Sequence, residues 1–163
     1  MKIYVKPASE ADRVVVRNLL QLHLHDLSAV PGQLPGPTDV NEEGLFEFPN
    51  FEIYWCDDRG LPFLITVDDR IGGFVLAYRH SEDRYSILEF FVLNRYRRKG
   101  VGTEAAIQLL ASFHGECEIA FSNENEPAVQ FWENVARKHS GGGYRVVRSD
   151  QGDWKGTKLR IQI

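Results

Sequence analysis

Arg97-Arg98-Lys99-Gly100-Val101-Gly102-Thr103 is the most informative stretch for the fold, because it stands between a run typical of a strand and a run typical of a helix. Before it, residues 86–93 are aromatic and branched, which predicts a largely buried strand. After it, apolar residues recur at helical spacing, and Gly115 is well placed to end the helix. The stretch therefore predicts a turn that leads from a strand into the start of a helix.

Two glycines make this turn suited to binding an anion. Gly100 and Gly102 allow the main chain to approach a ligand closely, and the helix start offers unpaired N–H groups and the positive end of the helix dipole. A phosphate group fits such a place. The alternative is an ordinary basic turn with two conformational glycines, since a lone G-x-G is a weak pattern. We call residues 97–103 the cradle.

Composition and charge narrow the class of protein. With 163 residues the chain has the length of one domain, and we predict a single domain over residues 1–163. The formal net charge of −4 argues against nucleic-acid binding as the main role, because that role requires a broad basic surface. Basic residues nevertheless cluster at the cradle, where they suit a small anionic ligand: Arg95, Arg97, Arg98 and Lys99.

The cysteines and the apolar segments exclude other classes. Cys56 and Cys117 are far apart in the sequence and form neither a disulfide framework nor a set of metal ligands. The first residues lack the apolar core of a signal peptide, and no stretch approaches membrane-spanning length. We therefore expect a cytoplasmic protein that does not act at a membrane.

Periodicity and turn residues predict the remaining elements. A capping box at Ser9 predicts a helix that runs to about Leu24, and a third helix is predicted from Asn125 to the glycine run that follows Ser140. Residues 29–50 are rich in Pro and Gly and predict a long loop. Strands are predicted over residues 3–5, 61–67, 72–78, 87–93, 117–121, 144–148 and 158–163. Three of them, 61–67, 72–78 and 87–93, should form an antiparallel meander, with 117–121 parallel to 87–93 after a helical crossover.

Two motifs in order resemble those of the GNAT superfamily of acetyl-CoA-dependent N-acetyltransferases. The first is Arg-x-x-Gly-x-Gly in the cradle, between the predicted strand and helix. The second, Asn125-x-x-Ala128-x-x-Phe131-Trp132, is similar to the family's Asn-x-x-Ala-x-x-aromatic helix. The resemblance covers about residues 71–147. It implies an α/β (α+β) fold with a mixed, mostly antiparallel sheet, helices on both faces, and a parallel, splayed strand pair at the cofactor site.

The resemblance also implies a set of residues that bind acetyl-CoA, the cosubstrate, without a metal. Backbone groups of two strands would hold the pantetheine arm in a V-shaped gap between residues 91–93 and 121–123, and an N–H near Val92 would stabilise the oxyanion. The implied binding residues are Phe91, Val92, Leu93, Arg97, Arg98, Lys99, Gly100, Val101, Gly102, Thr103 and Asn125. Asn125 also has a simpler explanation, because Asn is a favoured helix N-cap.

Glu89 interrupts an otherwise apolar strand. A solitary carboxylate would lose its hydration there, which is unfavourable unless it pairs with another group or stays in contact with water. Members of the family commonly carry an acidic residue here that acts as general base, directly or through water. The alternatives are a position on the solvated face of the sheet and a structural pair with an arginine such as Arg84.

Trp132 departs from the family pattern, in which a tyrosine protonates the departing thiolate. An indole N–H cannot serve as a useful acid, so solvent, Tyr144 or another tyrosine would have to replace it. Trp132 itself is expected to pack in the core of its helix.

A third group of polar residues lies near the end of the first helix. His23 and His25 are two residues apart and should point to different sides, so with Asp26 they do not suggest a metal site. We expect them to be polar residues at the helix end or on the substrate side.

We therefore predict an N-acetyltransferase that moves an acetyl group to a primary amine of a small molecule or peptide. Residues 29–51 and the aromatic Phe51, Tyr54 and Trp55 either line the acceptor site or pack in the core. A catalytically silent acyl-CoA-binding module is the alternative, and a homodimer is an open option for assembly. A binding domain for ATP or NAD is disfavoured, because the chain has neither a Walker lysine pattern nor G-x-G-x-x-G.

Overall fold

The computed structural model describes residues 1–31, 39–140, 143–149 and 156–163. Its strands form one sheet in the order β1-β2-β3-β4-β5-β7-β6. They are β1 (Ile3–Pro7), β2 (Gly60–Val67), β3 (Arg70–Ser81), β4 (Arg84–Val92), β5 (Glu116–Phe121), β6 (Tyr144–Ser149) and β7 (Gly156–Gln162). The α-helices of the described residues are α1 (Arg13–Ser28), the short α2 (Ile53–Cys56), α3 (Val101–Ala111) and α4 (Glu126–Ser140).

The strand directions confirm the predicted topology. Strands β2, β3 and β4 follow one another as an antiparallel meander. Strand β5 returns through α3 and is parallel to β4, while the other neighbouring strands pair antiparallel. The cradle thus lies inside the crossover between the two parallel strands.

Helices cover both faces of the sheet, as predicted. Strand β3 illustrates this, because its side chains are buried on both faces. Its side chains alternate in direction, so Val75 and Ala77 enter one core cluster with residues of α3 and α4. Phe74 and Leu76 enter a second cluster with residues of α1 and α2. All four side chains are fully buried. The strands next to the cradle are therefore held from both sides.

Helix α1 buries one stripe of side chains against the second cluster. Its buried residues recur at helical spacing: Val16, Leu19, Leu20, His23 and Leu24. The predicted capping box is present, with the Ser9 backbone N–H donating to Asp12 Oδ2 at 2.8 Å, but the first turn is a 3-10 turn. The helix also continues to Ser28, one turn beyond the predicted end at Leu24.

Gly115 does not end α3, which was the expectation from its position. The helix ends at Ala111, and Gly115 lies in the approach to β5 with φ +91°. A Cβ on Gly115 would lie 2.1 Å from the carbonyl oxygen of Asp83, at the turn between β3 and β4. Glycine is required there because two backbone segments pass each other closely.

Other differences from the predictions are local. Strand β4 ends at Val92 rather than Leu93, and a 3-10 turn, Asn94–Tyr96, precedes the cradle. Neither this turn nor α2 was predicted, because each is too short to show a period. Residues 32–38 of the predicted long loop, with Gly141 and Gly142, lie outside the described residues.

Candidate active site

The parallel pair β4–β5 opens into a gap beside the cradle. Pairing of the two strands ends at Ile87 and Ile119, although β4 continues to Val92 and β5 to Phe121. The register between β3 and β4 shifts at the same place, so that Leu88 is an extra residue in β4. Such a β-bulge bends its strand, and bulges are frequent next to active sites. Strand β4 therefore leaves β5 immediately after their last pair.

Backbone groups of Val92 face this gap. The Leu93 N–H donates to the Gly72 carbonyl at 2.8 Å, so alternation along the strand turns the Val92 N–H away from β3. The Val92 carbonyl accepts a hydrogen bond from Arg97 Nε at 2.6 Å on the same side. A fixed N–H here can stabilise negative charge that develops on a carbonyl oxygen. The N–H expected near Val92 therefore faces the gap, and its role towards an oxyanion stays a prediction.

The cradle has the backbone of an anion site. Arg98 has φ +57° and Gly100 has φ +80°, and Gly100 is the N-cap of α3. The N–H groups of the first turn of α3, from Val101 to Thr103, have no partner within the helix and lie at the positive end of its dipole. These groups, with the exposed Arg98, can hold a phosphate.

The two cradle glycines are required for different reasons. Gly100 adopts a left-handed conformation, and a Cβ added to it would meet no atom within 4 Å. Gly102 has no unusual φ, but its Cβ would lie 3.2 Å from Cε2 of Phe131 and 3.7 Å from Cγ2 of Val92. Gly100 permits the turn, whereas Gly102 permits the close approach of α3 to α4 and β4.

A cleft of about 480 Å³ joins the gap to the cradle. A smaller cavity of about 70 Å³ continues from it between β4 and β5. The predicted binding residues that line the cleft are Phe91, Val92, Arg97, Arg98, Gly100, Gly102, Thr103 and Asn125. The structure therefore brings most of the predicted residues to one surface.

Three predicted binding residues do not line the cleft. The Val101 side chain is fully buried in the core, so only its backbone can serve a ligand. The Lys99 ammonium donates to the Arg95 carbonyl at 2.8 Å, and Leu93 packs against the cluster under α1.

Arg97 lines the cleft, but its guanidinium is already engaged. Nη2 donates to Asp26 Oδ2 at 2.5 Å, and the guanidinium lies 5.2 Å from the ring centre of Phe91. Together with its bond to Val92, Arg97 ties the end of α1 to the end of β4. Arg97 thus helps to shape the cleft that it lines, and its part in cofactor binding stays a prediction.

Glu89 lies on the face of β4 that is covered by α1. Its Oε2 is 2.8 Å from Nε2 of His23, and the two side chains are 18% and 11% exposed. Neither alternative for Glu89 holds, because it is neither on a solvated face nor paired with Arg84. It is instead half of a nearly buried pair in the wall of the smaller cavity, which both residues line.

The aromatic residues before β2 belong to the core. Phe51 and Tyr54 are buried in the cluster under α1, and Trp55 packs against it. Burial, together with the charge of the nearby Glu89, raises the pKa of the Tyr54 hydroxyl. The alternative that Phe51 and Tyr54 pack in the core is therefore correct.

Trp132 packs as expected, at the boundary of the cleft. It is 5% exposed and makes edge contacts with Phe90 and Phe131, whose ring centres lie 5.1 and 5.0 Å away. Tyr144 packs against the core from β6 instead. Among the described residues that line the cleft or the smaller cavity, none is a tyrosine.

Asn125 caps α4 and lines the cleft at the same time. Its Oδ1 accepts a hydrogen bond from the Ala128 N–H at 3.2 Å, which is the geometry of an N-cap. It also lines both the cleft and the smaller cavity. The two interpretations of Asn125 are thus compatible.

His23 was not predicted as a site residue, although its position in α1 contains the necessary information. It falls four residues after Leu19 and three after Leu20, on the buried stripe of the helix. His25 falls off that stripe, and its side chain is 77% exposed. The two histidines therefore point to different sides, as their spacing predicted, and the apolar stripe of α1 identifies His23 as the buried one.

Comparison with a family model agrees with this geometry. A model described as "Acetyltransferase (GNAT) family" matches residues 24–136, which is well over half of the chain. None of the curated proteins compared with the chain matched it.

None of the described helices is long and apolar enough to cross a membrane.

Solved structures share the fold at low sequence identity. An acetyltransferase from Thermus thermophilus has a TM-score of 0.70 at 15% identity, covering 100% of this chain and 98% of its own. A GCN5-related N-acetyltransferase from Kribbella flavida has a TM-score of 0.63 at 15% identity, covering 99% and 98%. The ribosomal-protein-S18-alanine N-acetyltransferase of Escherichia coli has a TM-score of 0.58 at 14% identity, covering 99% and 96%.

Proposed function

The chain belongs to the GNAT acetyltransferase family, and we propose that it transfers an acetyl group from acetyl-CoA to a primary amine of a small molecule or peptide. The observation that carries this proposal is the continuity of three features along the cleft and the smaller cavity that adjoins it. These features are the helix-start cradle, the gap beside β4 and the pair of Glu89 and His23.

The cradle and the gap suit the two ends of acetyl-CoA. The N–H groups at the start of α3 and the exposed Arg98 would hold the pyrophosphate. The backbone of β4 beyond Ile87 is no longer paired with β5, so it can bind the amide groups of the pantetheine arm. The apolar rings of Phe90, Phe131 and Trp132 line the cleft and would flank this arm.

The reaction needs a proton acceptor, because a primary amine with a pKa of about 10.4 is almost wholly protonated at neutral pH. The ammonium ion first loses one proton to solvent, because only the neutral amine has a free electron pair. In the transfer, the nitrogen of the neutral amine forms a bond to the thioester carbonyl carbon, and the carbon–sulfur bond breaks. The Val92 N–H stabilises the carbonyl oxygen as its negative charge grows. The nitrogen carries a positive charge once it has bonded, and its excess proton passes to the group formed by Glu89 and His23, which makes Glu89 part of the proposed catalytic machinery.

The departing CoA thiolate takes its proton from solvent in this proposal. The family's tyrosine position is occupied by Trp132, and no tyrosine is among the described residues that line the cleft. The same observation favours a second candidate function, a module that binds acetyl-CoA and does not transfer the acetyl group. The two candidates differ in whether an acetylated product forms.

A transfer assay distinguishes them. The protein is incubated with acetyl-CoA and n-butylamine, a linear diamine or an alanine tripeptide, and both the released thiol and the acetylated amine are quantified. Acetyl transfer predicts equal amounts of the two products with at least one acceptor. Binding of acetyl-CoA without product from a broader panel of amines and peptides would favour the silent module, and preferential binding of ATP or NAD would contradict both.

A further inference from the structure

His23 stands at the junction of the two cavities of the site. It lines both the cleft and the smaller cavity, whereas Glu89 lines only the smaller one. Among the described residues shared by the two cavities, His23 is the one with a titratable side chain. The imidazole is therefore accessible from both cavities, whereas the carboxylate lines only the smaller one.

The ring of His23 is held in one orientation. Its Nε2 is 2.8 Å from Glu89 Oε2, and its faces and edges contact Phe91 and Phe74 at centroid distances of 5.3 and 5.9 Å. A carboxylate accepts hydrogen bonds, so it selects the tautomer in which Nε2 carries the hydrogen. Among the residues that the structure describes, none hydrogen-bonds to Nδ1 of His23. Nδ1 is then the basic atom of the pair.

We propose that His23 Nδ1 is the first acceptor of the amine proton, and that Glu89 is the residue that orients His23 and stabilises the imidazolium that forms. This inference rests on the proposed acetyl transfer and names its proton-accepting atom. The ammonium form first loses one proton to solvent; when the neutral amine nitrogen then bonds to the acetyl carbon it becomes positively charged, its excess proton passes to Nδ1, and the positive ring faces the Glu89 carboxylate. The proton then leaves to solvent through the cleft, which restores the neutral ring.

General chemistry favours this division of roles. A model imidazole has a pKa of about 6.5 and a model Glu carboxyl a pKa of about 4.3, and a general base works best when its pKa lies near the working pH. A carboxylate behind an imidazole also fixes the ring and its tautomer. The buried pair at the gap has the components of such an arrangement.

Other titratable groups lie on the elements packed around this pair. Asp26, one turn further along α1, lines the same cleft and is bonded to Arg97. Tyr54 of α2 interacts electrostatically with Glu89. His25 is on the same helix, but it is exposed and lines neither cavity.

The test compares His23→Gln with His25→Gln and Glu89→Gln. Gln at position 23 can still donate to Glu89 but has no basic nitrogen. His25→Gln is the matched control, because it removes a histidine outside the cavities. For each protein, kcat and KM are measured against pH with n-butylamine and the alanine tripeptide, and acetyl-CoA binding is measured by calorimetry.

We expect His23→Gln to lower kcat by roughly a hundredfold or more at neutral pH, with acetyl-CoA binding unchanged. The rise of kcat with pH on the acid side should be lost, and more alkaline pH should recover part of the rate, because the free amine becomes abundant. The double variant His23→Gln/Glu89→Gln should be about as slow as the slower single variant, since the two residues act as one unit. His25→Gln should match the native protein.

Nitrogen-15 NMR of the native protein supplies a readout that does not need the variants to fold. Neutral His23 should carry its hydrogen on Nε2 and should take the second proton on Nδ1. A hydrogen on Nδ1 of the neutral ring, or His23→Gln at native kcat with a native pH profile, would overturn the inference while leaving acetyl transfer intact. If the native protein acetylates no amine, the proposed function fails and this inference fails with it.

Discussion

Gly102→Val should weaken acetyl-CoA binding more than it destabilises the fold, because of where the new side chain would lie. Its Cβ would be 3.2 Å from Cε2 of Phe131, and the two methyl groups extend about 1.5 Å further, into the ring or the cleft. Overpacking costs about 1–3 kcal/mol, and the removal of glycine from the helix offsets a few tenths of this. The variant should therefore fold, with a Tm about 1–10 °C lower for a chain of this size.

The effect on acetyl-CoA binding should be larger. At about one hundred times its Kd, acetyl-CoA stabilises the native protein by about 2.7 kcal/mol, or about 5–11 °C in Tm. If the valine weakens binding about a hundredfold, the same ligand concentration gives only about 0.4 kcal/mol, or about 1–2 °C. Thermal unfolding with and without acetyl-CoA measures both effects in one experiment.

Gly44→Ala is the control. Unlike Gly102, Gly44 has a positive φ, +75°; its Cβ would meet nothing within 4 Å, and it does not line the cleft. The control should lose some stability through backbone strain and keep the full acetyl-CoA shift. A full shift in Gly102→Val would refute the placement of acetyl-CoA in the cradle; if that variant does not fold, Gly102→Ala, with a smaller loss of binding expected, replaces it.

Three further predictions concern other parts of the molecule. Trp132→Phe should retain most of the turnover in the transfer assay, because the indole does not act as an acid and a ring of similar shape keeps the packing. A fall in turnover by several orders of magnitude in a folded variant would contradict this. Burial raises the pKa of the Cys117 thiol to about 12, whereas Cys56 is exposed. A thiol reagent near neutral pH should therefore modify only Cys56 until the protein is denatured. Mass spectrometry of the labelled native protein shows which cysteine carries the label. Burial alone would raise the pKa of Glu118, but hydrogen bonds from Lys158 and Arg160 hold that pKa below its ordinary value. The ionised Glu118 stabilises the fold above the unfolded-state pKa of about 4.3, and this contribution is lost as the pH falls through the lower folded-state pKa. Glu118→Gln should therefore lower the free energy of unfolding by up to about 1 kcal/mol at neutral pH and by progressively less in acid. Chemical denaturation of both proteins at neutral and at acidic pH tests this; the same difference in free energy of unfolding at the two pH values would contradict it.

The order of elements around the cradle could be predicted from sequence because local patterns determine it. Residues 86–93 are too bulky and short for a confident helix, and the helical spacing after Gly100 is clear. The parallel direction of β5 followed from the helical crossover alone. These inferences use only neighbours in the chain.

Features that depend on distant partners could not be predicted in this way. Arg97 has the charge of a phosphate ligand, and its engagement by Asp26, 71 residues away in the sequence, shows only in the folded chain. The bulge at Leu88 depends on the register with β3, and the role of Gly102 depends on Phe131. In contrast to these features, the burial of His23 could be predicted from the sequence, because it follows from the periodicity of apolar residues in α1.

A crystal structure of the complex with acetyl-CoA is the decisive measurement for the proposed site. We predict the pyrophosphate within hydrogen-bond distance of the N–H groups at residues 98–103, with the thioester oxygen at the Val92 N–H and the acetyl carbon beside His23. Acetyl-CoA bound outside the cleft, or bound in it with the pyrophosphate away from the start of α3, would contradict the proposed binding mode.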